Sequence, residues 1–436
     1  MNICCFNRGG VGAIPAAGFT DTGSRRSGAW ERIGKVGSFV WQRRIPFRIA
    51  RILSRNPQNS RLWRVARWFY SKPAGFLRFF GFFPLPLQSV SYKECKHIDY
   101  QGVHKLLPAM APRSVHAESD WAGWTTNLPA HRKSPRLLSS HTVFVPQGFA
   151  DSVGNVFTAD GVLIVGAASA LRSNLNDYYT PSRIHPPMYR GGRVATLTSS
   201  VQENYYHWLL EILPKWHMIQ DQRLEPEKLL IQTKTAFQKE TLSLLGVTNQ
   251  QILSTDDYDL VRADDLVAPY HEIKAGTEYP SWVGDFLRRT FLPLAADEKM
   301  NVPVKRLYIS RETARWRRVM NEPELVACLA QYGFQKVELE SMPFLDQVRL
   351  FHQAEVIVAP HGAALANIVF SPPGTKVIEL QPWKLQDLFF SLSRSAGLDY
   401  YYLKSSTGPS DPANNQQQIT IDLGLLRKTL QLASLD

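Results

Sequence analysis

The sequence predicts an α/β protein with two lobes and a basic N-terminal extension. Three observations support this prediction. The chain has 436 residues, of which 44% are hydrophobic and 20% charged, which is enough material for two hydrophobic cores. From residue 91 onward, short apolar runs of strand type alternate with helical segments, most regularly after residue 303. Before residue 91 there is no such alternation, and arginines and aromatic residues crowd together instead.

The N-terminal extension, residues 1–90, accounts for the entire net charge of +12, because the rest of the chain is close to neutral. It holds 15 of the 50 lysines and arginines but only two acidic residues, Asp21 and Glu31. Arginine mixed with tryptophan and phenylalanine suits the headgroup boundary of an anionic membrane. We therefore predict a partly disordered extension that contacts a membrane surface through residues 25–90. Packing of its aromatic residues on the neighbouring domain is the structural alternative, and nucleic acid is an unlikely partner.

The extension is not expected to cross a bilayer. Arg78, Pro84 and Pro86 interrupt its apolar stretch well short of the ~20 residues that a transmembrane helix needs. The four cysteines are scattered, without the spacing of a zinc site or a disulfide framework, which favours a reducing compartment. We expect a cytoplasmic protein, peripheral at the inner face of the membrane.

The N-terminal lobe is predicted to span residues 91–295. Residues 154–166 read as a β-hairpin around Asp160 and Gly161. A strand in "RVATLTSS" (193–200) then precedes a helix over 203–216, and strand, helix and strand follow in "KLLIQ", "TAFQKETLSLLG" and "QQILS".

The helix "ENYYHWLLEILPKW" is amphipathic and carries a stripe of ionisable residues. At roughly 100° per residue, His207, Glu211 and Lys215 share one face with Asn204. Pro214 predicts a kink or an end nearby. The structural alternative is a solvated face on which the His207/Glu211 pair contributes only a few tenths of a kcal/mol, on the order of other i,i+4 pairs.

The C-terminal lobe is predicted to span residues 296–404, after a proline-containing linker over 291–303. Five apolar runs, "RLYIS", "QKVEL", "EVIVA", "TKVIEL" and "DYYYL", alternate with helices and indicate a doubly wound, mostly parallel sheet. Asn321 with Glu324 resembles a capping box at the start of one of these helices. Residues 405–436 are predicted to form a polar loop and a terminal helix.

Three strand ends in this lobe carry residues suited to a nucleotide. Ligands of open α/β sheets bind beyond the carboxyl ends of the strands. Arg311 follows the first strand, His361 and the small-residue turn from Gly362 follow the third, and Glu379 lies at the end of the fourth. An arginine fork and a helix N-terminus both suit a diphosphate, and a carboxylate suits ribose hydroxyls. Surface ion pairing of Arg311 and simple tight packing at Gly362 are the structural alternatives.

The motifs "SR" (310–311), "NE" (321–322), "HGAALAN" (361–367) and "IEL" (378–380) occur in the order found in glycosyltransferase family 61, which this sequence resembles. "ENYYHWLLEILPK" also resembles the family's N-terminal motif, so that the likeness covers about residues 190–385. The resemblance implies two Rossmann-like lobes of the GT-B type that face a cleft. It also implies a nucleotide-sugar donor, most often UDP-linked, a glycan or lipid-linked glycan acceptor, inversion at the anomeric carbon, and no required cofactor or metal.

The resemblance also implies a set of site residues. The expected donor and nucleotide residues are Ser310, Arg311, His361, Gly362, Ala363, Asn367 and Glu379, with Asn367 supporting the loop. The expected catalytic residues are His207 and Glu211. An inverting transfer needs a base for the acceptor hydroxyl, and histidine ordinarily titrates in the appropriate pH range. His207 as base oriented by Glu211, and Glu211 as base with His207 as a donor, are both left open.

Three other interpretations remain open. Asp257 and Asp259 have the spacing by which some metal-dependent sugar transferases hold a divalent cation. A sugar-nucleotide epimerase of GT-B-like fold would use a similar donor site without an acceptor. A non-catalytic, membrane-tethered glycan-binding protein would keep the fold and bind nucleotide without turnover.

Overall fold

The computed structural model describes residues 89–91, 93, 95–100, 140–159, 161–165, 187, 189–271, 279–296, 304–382, 386–406 and 418–435. Of the predicted basic extension, only the last two residues are among these, so the proposed membrane contact of residues 25–90 lies outside the described part. Within the described ranges, no helix combines the length and the apolar character needed to cross a bilayer.

The N-terminal half builds two six-stranded sheets. Its strands are β1 (Ser89–Ser91), β2 (His97–Tyr100), β3 (Ser140–Pro146), β4 (Phe149–Asp151), β5 (Val156–Phe157), β6 (Leu163–Val165), β7 (Tyr189–Arg190), β8 (Arg193–Thr196), β9 (Lys228–Ile231), β10 (Ile252–Ser254), β11 (Leu260–Arg262) and β12 (Asp265–Tyr270). The first sheet has the order β1-β6-β5-β4-β11-β7, and the second β10-β9-β8-β12-β3-β2. The predicted hairpin is confirmed by the antiparallel pair Phe157↔Leu163.

The second sheet is parallel from β10 through β9 and β8 to β12, and antiparallel where β3 and β2 are added. The helices of this half are α1, which joins Tyr205–His207, the π-helical turn Trp208–Ile212 and Leu213–Asp221, and α2 (Ala236–Leu244). Helix α1 begins at Asn204, whose side chain accepts a hydrogen bond from the Tyr206 N–H at 2.9 Å.

The sequence predicted a kink or an end of helix α1 near Pro214; the helix does not end there but continues to Asp221. The preceding turn is π-helical, and there the Leu213 N–H donates to the Trp208 carbonyl, five residues back. Pro214 then stands in the first turn of the following α-helical segment. A proline is tolerated in a first turn because its missing N–H would have had no partner there.

The C-terminal half contains the predicted doubly wound sheet. Its elements are β13 (Arg306–Ile309), α4 (Glu322–Ala330), β14 (Gln335–Val337), α5 (Phe344–Gln353), β15 (Val356–Pro360), a 3₁₀ helix (Ala363–Phe370), β16 (Lys376–Gln381), α6 (Leu388–Ala396), β17 (Asp399–Lys404) and α7 (Leu423–Leu432), preceded by α3 (Ser281–Ala296). All five strands are parallel in the order β14-β13-β15-β16-β17. The order reverses direction between β13 and β15.

Part of the expected linker over 291–303 is helical instead. Residues 291–296 form the end of α3, although Pro293 lies within it. Phe291 is fully buried and packs edge-on against Phe344, with ring centroids 4.8 Å apart. The expected domain boundary at residue 295 therefore falls inside a helix that packs on the C-terminal half, because burying Phe291 outweighs the helix-breaking tendency of Pro293.

The expected capping box at Asn321 does not form, since the Asn321 side chain makes no hydrogen bond to its own helix. Instead its amide pairs with the backbone of Ile421: Nδ2 donates to the carbonyl at 2.8 Å, and Oδ1 accepts from the N–H at 3.0 Å. This double contact ties the start of α4 to the C-terminal segment, a long-range partner that local sequence spacing cannot reveal.

The largest hydrophobic cluster runs through both halves, beside smaller clusters that belong to one half each. It joins Leu209 and Leu213 of α1 to Leu365 of the 3₁₀ helix and Phe389 of α6. Polar contacts add to this interface. The Tyr205 hydroxyl donates to Asn367 Oδ1 at 2.6 Å, and both carboxylate oxygens of Glu240 accept from the Phe344 N–H at 3.0 and 2.9 Å.

Replacing Glu240 by alanine is expected to lower the free energy of unfolding by about 1–2 kcal/mol, the usual cost of losing a helix cap. Helix α5 begins after Pro343, which cannot cap it, so Glu240 on α2 supplies the cap from the other half. Urea unfolding measures the effect. Lys239→Ala, at the exposed neighbouring position, is the control, and an equal loss in both variants would contradict this role for Glu240.

Candidate active site

The candidate site lies at the point where the strand order of the parallel sheet reverses. Arg311 follows β13, and His361 and Gly362 follow β15. These are neighbouring parallel strands, so their carboxyl ends open into one crevice. In open α/β sheets such a crevice is the usual ligand site.

Arg311 packs directly against Gly362. A β-carbon added to Gly362 would lie 2.8 Å from the Arg311 Cζ atom and closer still to Nη1. The Gly362 backbone is extended, with φ 178°, so its conformation does not require glycine; the missing side chain is what lets the guanidinium lie against this turn. The close approach places a guanidinium over the turn where a phosphate was expected.

The Arg311 guanidinium is only partly satisfied by protein. Its Nη2 donates to the Trp316 carbonyl at 3.1 Å, while its Nε is buried without a hydrogen-bond partner among the described residues. Burial lowers the pKa of Arg311, against a smaller opposing effect of Glu340. A buried cation with an unused donor is suited to an anionic ligand.

Arg317 is a second cation at this site, and no sequence motif singled it out. Its Nε is also buried without a partner in the described part of the chain, and its φ of 59° is unusual for a residue other than glycine. Burial and the neighbouring Arg311 charge lower its pKa to about 10, although Glu379 opposes this. Strained backbone of this kind concentrates at functional sites.

Arg311 and Arg317, named here the guanidinium pair, repel each other, and neither forms an ion pair with a carboxylate of the described residues. Both belong to the arginine loop, residues 311–318, "RETARWRR". The four arginines in that loop were the sequence signal for an anion site, but the sequence did not show which of the four side chains are buried.

His361 and Glu379 form a buried pair. The His361 Nδ1 atom is hydrogen-bonded to Glu379 Oε1, and the Tyr400 hydroxyl donates to Oε2. Burial and the Glu379 charge raise the pKa of Tyr400, which stays a neutral donor. Glu379 is 0% exposed, so it is placed to orient His361, not to receive ribose hydroxyls as the sequence suggested.

Ser310 is also placed differently from the expectation of a donor-binding residue. It is buried, and its hydroxyl donates to Glu322 Oε1 at 2.8 Å, beside a second bond to that oxygen from Tyr308 at 2.7 Å. Ser310 also accepts from the Glu312 N–H at 3.2 Å, so it holds the first turn of the arginine loop.

The "HGAALAN" segment leads into a 3₁₀ helix, Ala363–Phe370, whose N-cap residue Gly362 packs against Arg311. Ala363 is partly exposed at its first position. Asn367 is fully buried, accepting from Tyr205 and donating to Gln347 Oε1 at 2.9 Å. Asn367 therefore links this helix to the start of α1, a supporting position like the one predicted for it.

His207 and Glu211 lie on α1 with Nδ1 and Oε1 3.0 Å apart, although the two groups are not aligned for a good hydrogen bond. The Glu211 side chain is 7% exposed and that of His207 23%. Lys215 is also buried and donates to the Thr198 carbonyl at 3.2 Å. The ionisable stripe is thus not a solvated helix face, because the surrounding elements cover it.

Aromatic rings connect the two parts of the site. The Tyr206 ring lies 5.0 Å from the His207 ring and 5.7 Å from that of Phe389, and the Phe389 ring lies 5.2 Å from that of His361. These contacts form a short row of aromatic rings, with His207 of the N-terminal half at one end and His361 of the C-terminal half at the other.

Tyr279 and Asp387 were missed by the sequence analysis. The Tyr206 and Tyr279 hydroxyls are hydrogen-bonded. Burial raises the pKa of both tyrosines, and the charges of Glu211 and Asp387 add to the effect. Asp387 is buried at the start of α6, so a C-terminal carboxylate faces the same tyrosine pair as Glu211. No local motif marks either residue.

Asp257 and Asp259, the candidate metal ligands, are exposed in the turn between β10 and β11. In the described ranges, no group of three or more histidine, cysteine, aspartate or glutamate side chains is placed to hold a metal ion. Independence from metal stays a prediction, which only a measurement in the presence of a chelator can test.

A family model described as Glycosyltransferase 61 matches residues 205–378, which include α1, the arginine loop and the His361–Glu379 pair. The EGF domain-specific O-linked N-acetylglucosamine transferase of Drosophila melanogaster is 32% identical over 96 residues, 21% of this chain and 18% of that protein. The protein O-linked-mannose beta-1,4-N-acetylglucosaminyltransferase 2 of Canis lupus familiaris is 36% identical over 94 residues, 20% of this chain and 16% of that protein.

The chain thus spans less than a fifth of the length of these relatives. Among solved structures, the dodecameric iron-containing heptosyltransferase TibC in complex with ADP-D-beta-D-heptose aligns with 65% of this chain and 74% of its own. The identity is 12% and the TM-score 0.29, which is below the level that identifies a shared fold.

Proposed function

We propose that this chain, whose residues 205–378 match the Glycosyltransferase 61 family model, transfers a sugar from a nucleotide-sugar donor to a glycan or glycolipid acceptor. The observation that carries this proposal is the guanidinium pair. Two partly buried arginines with unused donors stand at the crevice between β13 and β15, beside a glycine turn. A donor diphosphate would supply the negative charge and the acceptor atoms that the pair lacks.

The second part of the proposal is the chemistry of transfer. His207 takes the proton of the acceptor hydroxyl, Glu211 holds the imidazole and stabilises its charged form, and the hydroxyl oxygen attacks the anomeric carbon from the face opposite the diphosphate. The departing diphosphate is stabilised by the guanidinium pair and by His361, which Glu379 orients. This route inverts the anomeric configuration and uses no metal.

The arrangement is proposed to be of the GT-B type, with the acceptor on the α1 side and the donor on the parallel sheet β13–β17. Supporting this, α1 packs against the 3₁₀ helix that begins at the donor turn, and Tyr205 bonds to Asn367 across that contact. A UDP-linked sugar is the first donor to test. The two relatives named above are N-acetylglucosamine transferases, which makes N-acetylglucosamine the first sugar.

Titration of the purified protein with a panel of nucleoside diphosphates in EDTA, by calorimetry, tests the donor site. We expect one diphosphate to bind without added metal, and its sugar conjugate to be consumed only when an acceptor is present. Binding that appears only after a divalent cation is added would contradict metal independence and favour Asp257 and Asp259. Conversion of the sugar without acceptor would favour the epimerase, and binding without any turnover the glycan-binding protein.

A further inference from the structure

The arginine loop presents an exposed tryptophan beside the guanidinium pair. Four large apolar side chains in the described ranges are substantially exposed, and two of them, Trp316 at 37% and Met320 at 60%, belong to the stretch that leads from β13 to α4. Trp316 stands between Arg315 and Arg317 in sequence. The indole therefore offers an apolar face to a ligand beside the candidate site.

The loop is held in place at both ends. Near its start, the Ala314 N–H donates to the Arg311 carbonyl at 3.0 Å, and Arg311 Nη2 donates to the Trp316 carbonyl at 3.1 Å. Near its end, Val319 pairs with Ile419 in a parallel bridge, flanked by two backbone hydrogen bonds of 2.8 Å. The indole therefore projects from a braced segment, which limits the entropy lost when a ligand binds.

One face of the indole is already occupied. The Arg315 guanidinium lies over the Trp316 ring, with its Cζ atom 4.7 Å from the ring centroid. This cation–π contact fixes the ring orientation and places a further positive charge beside it. A flat ligand that carries negative charge is the kind of molecule that such an indole, surrounded by arginines, would bind.

We propose that the exposed face of the Trp316 indole stacks on the base of the nucleoside diphosphate, an assignment that rests on the proposed donor site. The base and the sugar of a nucleotide-sugar leave the diphosphate at opposite ends. His361, Phe389 and His207, which lie towards the reacting sugar, adjoin β15 and α6, whereas Trp316 lies on the β13–α4 connection. The carbonyl of Trp316 contacts Arg311 itself, within reach of a base attached through ribose to the same diphosphate.

Two ligands and three variants test this assignment. The ligands are the nucleoside diphosphate that the wild-type protein binds and inorganic pyrophosphate, which has the charge but no base. The variants are Trp316→Leu, which removes the aromatic face, Trp316→Phe, which keeps a smaller one, and Met320→Ala, the exposed apolar control from the same stretch.

We expect Trp316→Leu to weaken binding of the nucleoside diphosphate about 5- to 100-fold, the range found for removal of a stacking aromatic side chain. Trp316→Phe should lose much less, and Met320→Ala almost nothing. Affinity for pyrophosphate should stay within about twofold in every variant. Nucleotide should quench part of the tryptophan fluorescence of the wild-type protein, and Trp316→Phe should lose that part.

Four results would overturn the assignment. Equal losses for nucleotide and pyrophosphate in Trp316→Leu would show that the indole only supports the guanidinium pair. Unchanged nucleotide binding with a raised KM for the acceptor would place the acceptor on the indole instead. If the wild-type protein bound pyrophosphate but no nucleoside diphosphate, the base site would fail alone, and if it bound neither, the proposed function would fail with it.

Discussion

Replacing Arg311 by alanine is expected to weaken nucleoside diphosphate binding by about 100-fold or more. The guanidinium lies against the Gly362 turn, its Nε has no partner among the described residues, and its surroundings are partly desolvated. Charge-assisted hydrogen bonds in such surroundings are worth about 2–4 kcal/mol each when one partner is removed, which corresponds to roughly 30- to 1000-fold in affinity. Calorimetric titration of the variant measures the loss directly.

Two further variants sharpen this test. Arg311→Lys keeps the charge but loses the planar fork, so it should recover only part of the affinity. Arg318→Ala removes an exposed arginine of the same loop and should change the affinity by less than about threefold, because a screened surface charge contributes little. If both alanine variants lost the same small amount, the loop would attract anions only through its overall charge.

The stability of the ligand-free protein provides an independent check. Burial and mutual repulsion depress the pKa of Arg317 below its unfolded value, so the folded protein disfavours the charged form. Linkage then makes this arginine a destabilising group throughout the range below about pH 10, and removing either member of the guanidinium pair relieves the repulsion. Arg311→Ala should therefore unfold at the same or a higher temperature, whereas a structural role would require a lower one.

The parallel sheet of the C-terminal half was predictable from sequence because its signals are local. Val356–Pro360 and Lys376–Gln381 are short, almost wholly buried apolar runs, as expected for central parallel strands. Arg311 and Gly362 were predictable as neighbours for a related reason: parallel strands end at a common edge. The position of each residue at a strand end was enough to bring them together.

The role of Glu379 was not predictable in the same way. Along β16, Val377 and Ile378 belong to different hydrophobic clusters and therefore point to opposite faces of the sheet. Glu379 points to the same face as Val377, where it is hydrogen-bonded to His361 and Tyr400. The alternation of a strand shows that two faces exist, but not which one a distant element covers. Whether such a carboxylate contacts a ligand or orients a histidine depends on which residues of other elements pack over it.

Helix α1 shows a second limit of sequence reasoning. A helical wheel assumes a constant 100° per residue, whereas Trp208–Ile212 form a π-helical turn, which is common at functional sites. The wheel still placed His207 and Glu211 together. The wheel could not predict that these two side chains are buried, because the C-terminal half packs over this helix through Asn367 and Phe389, about 160 and 180 residues away in sequence.

Replacing His207 by alanine is expected to lower kcat by about 10²- to 10⁴-fold, the usual contribution of a general base, with little change in nucleoside diphosphate affinity. His207 is on α1, whereas the guanidinium pair follows β13. The substitution of His207 should therefore leave the diphosphate site unchanged. Steady-state transfer assays measure kcat, and the calorimetric titration measures the affinity. Loss of both together would indicate that the change has disturbed the fold.

The variant Glu211→Gln decides between the two bases. It keeps the shape of the side chain and one acceptor oxygen beside His207 Nδ1, but it removes the charge that would stabilise a protonated imidazole. If His207 is the base, Glu211→Gln should cost less than His207→Ala, and the double variant should cost little more than His207→Ala alone. If Glu211 is the base, the order reverses. Glu203→Gln, an exposed carboxylate just before α1, should leave the rate unchanged in either case.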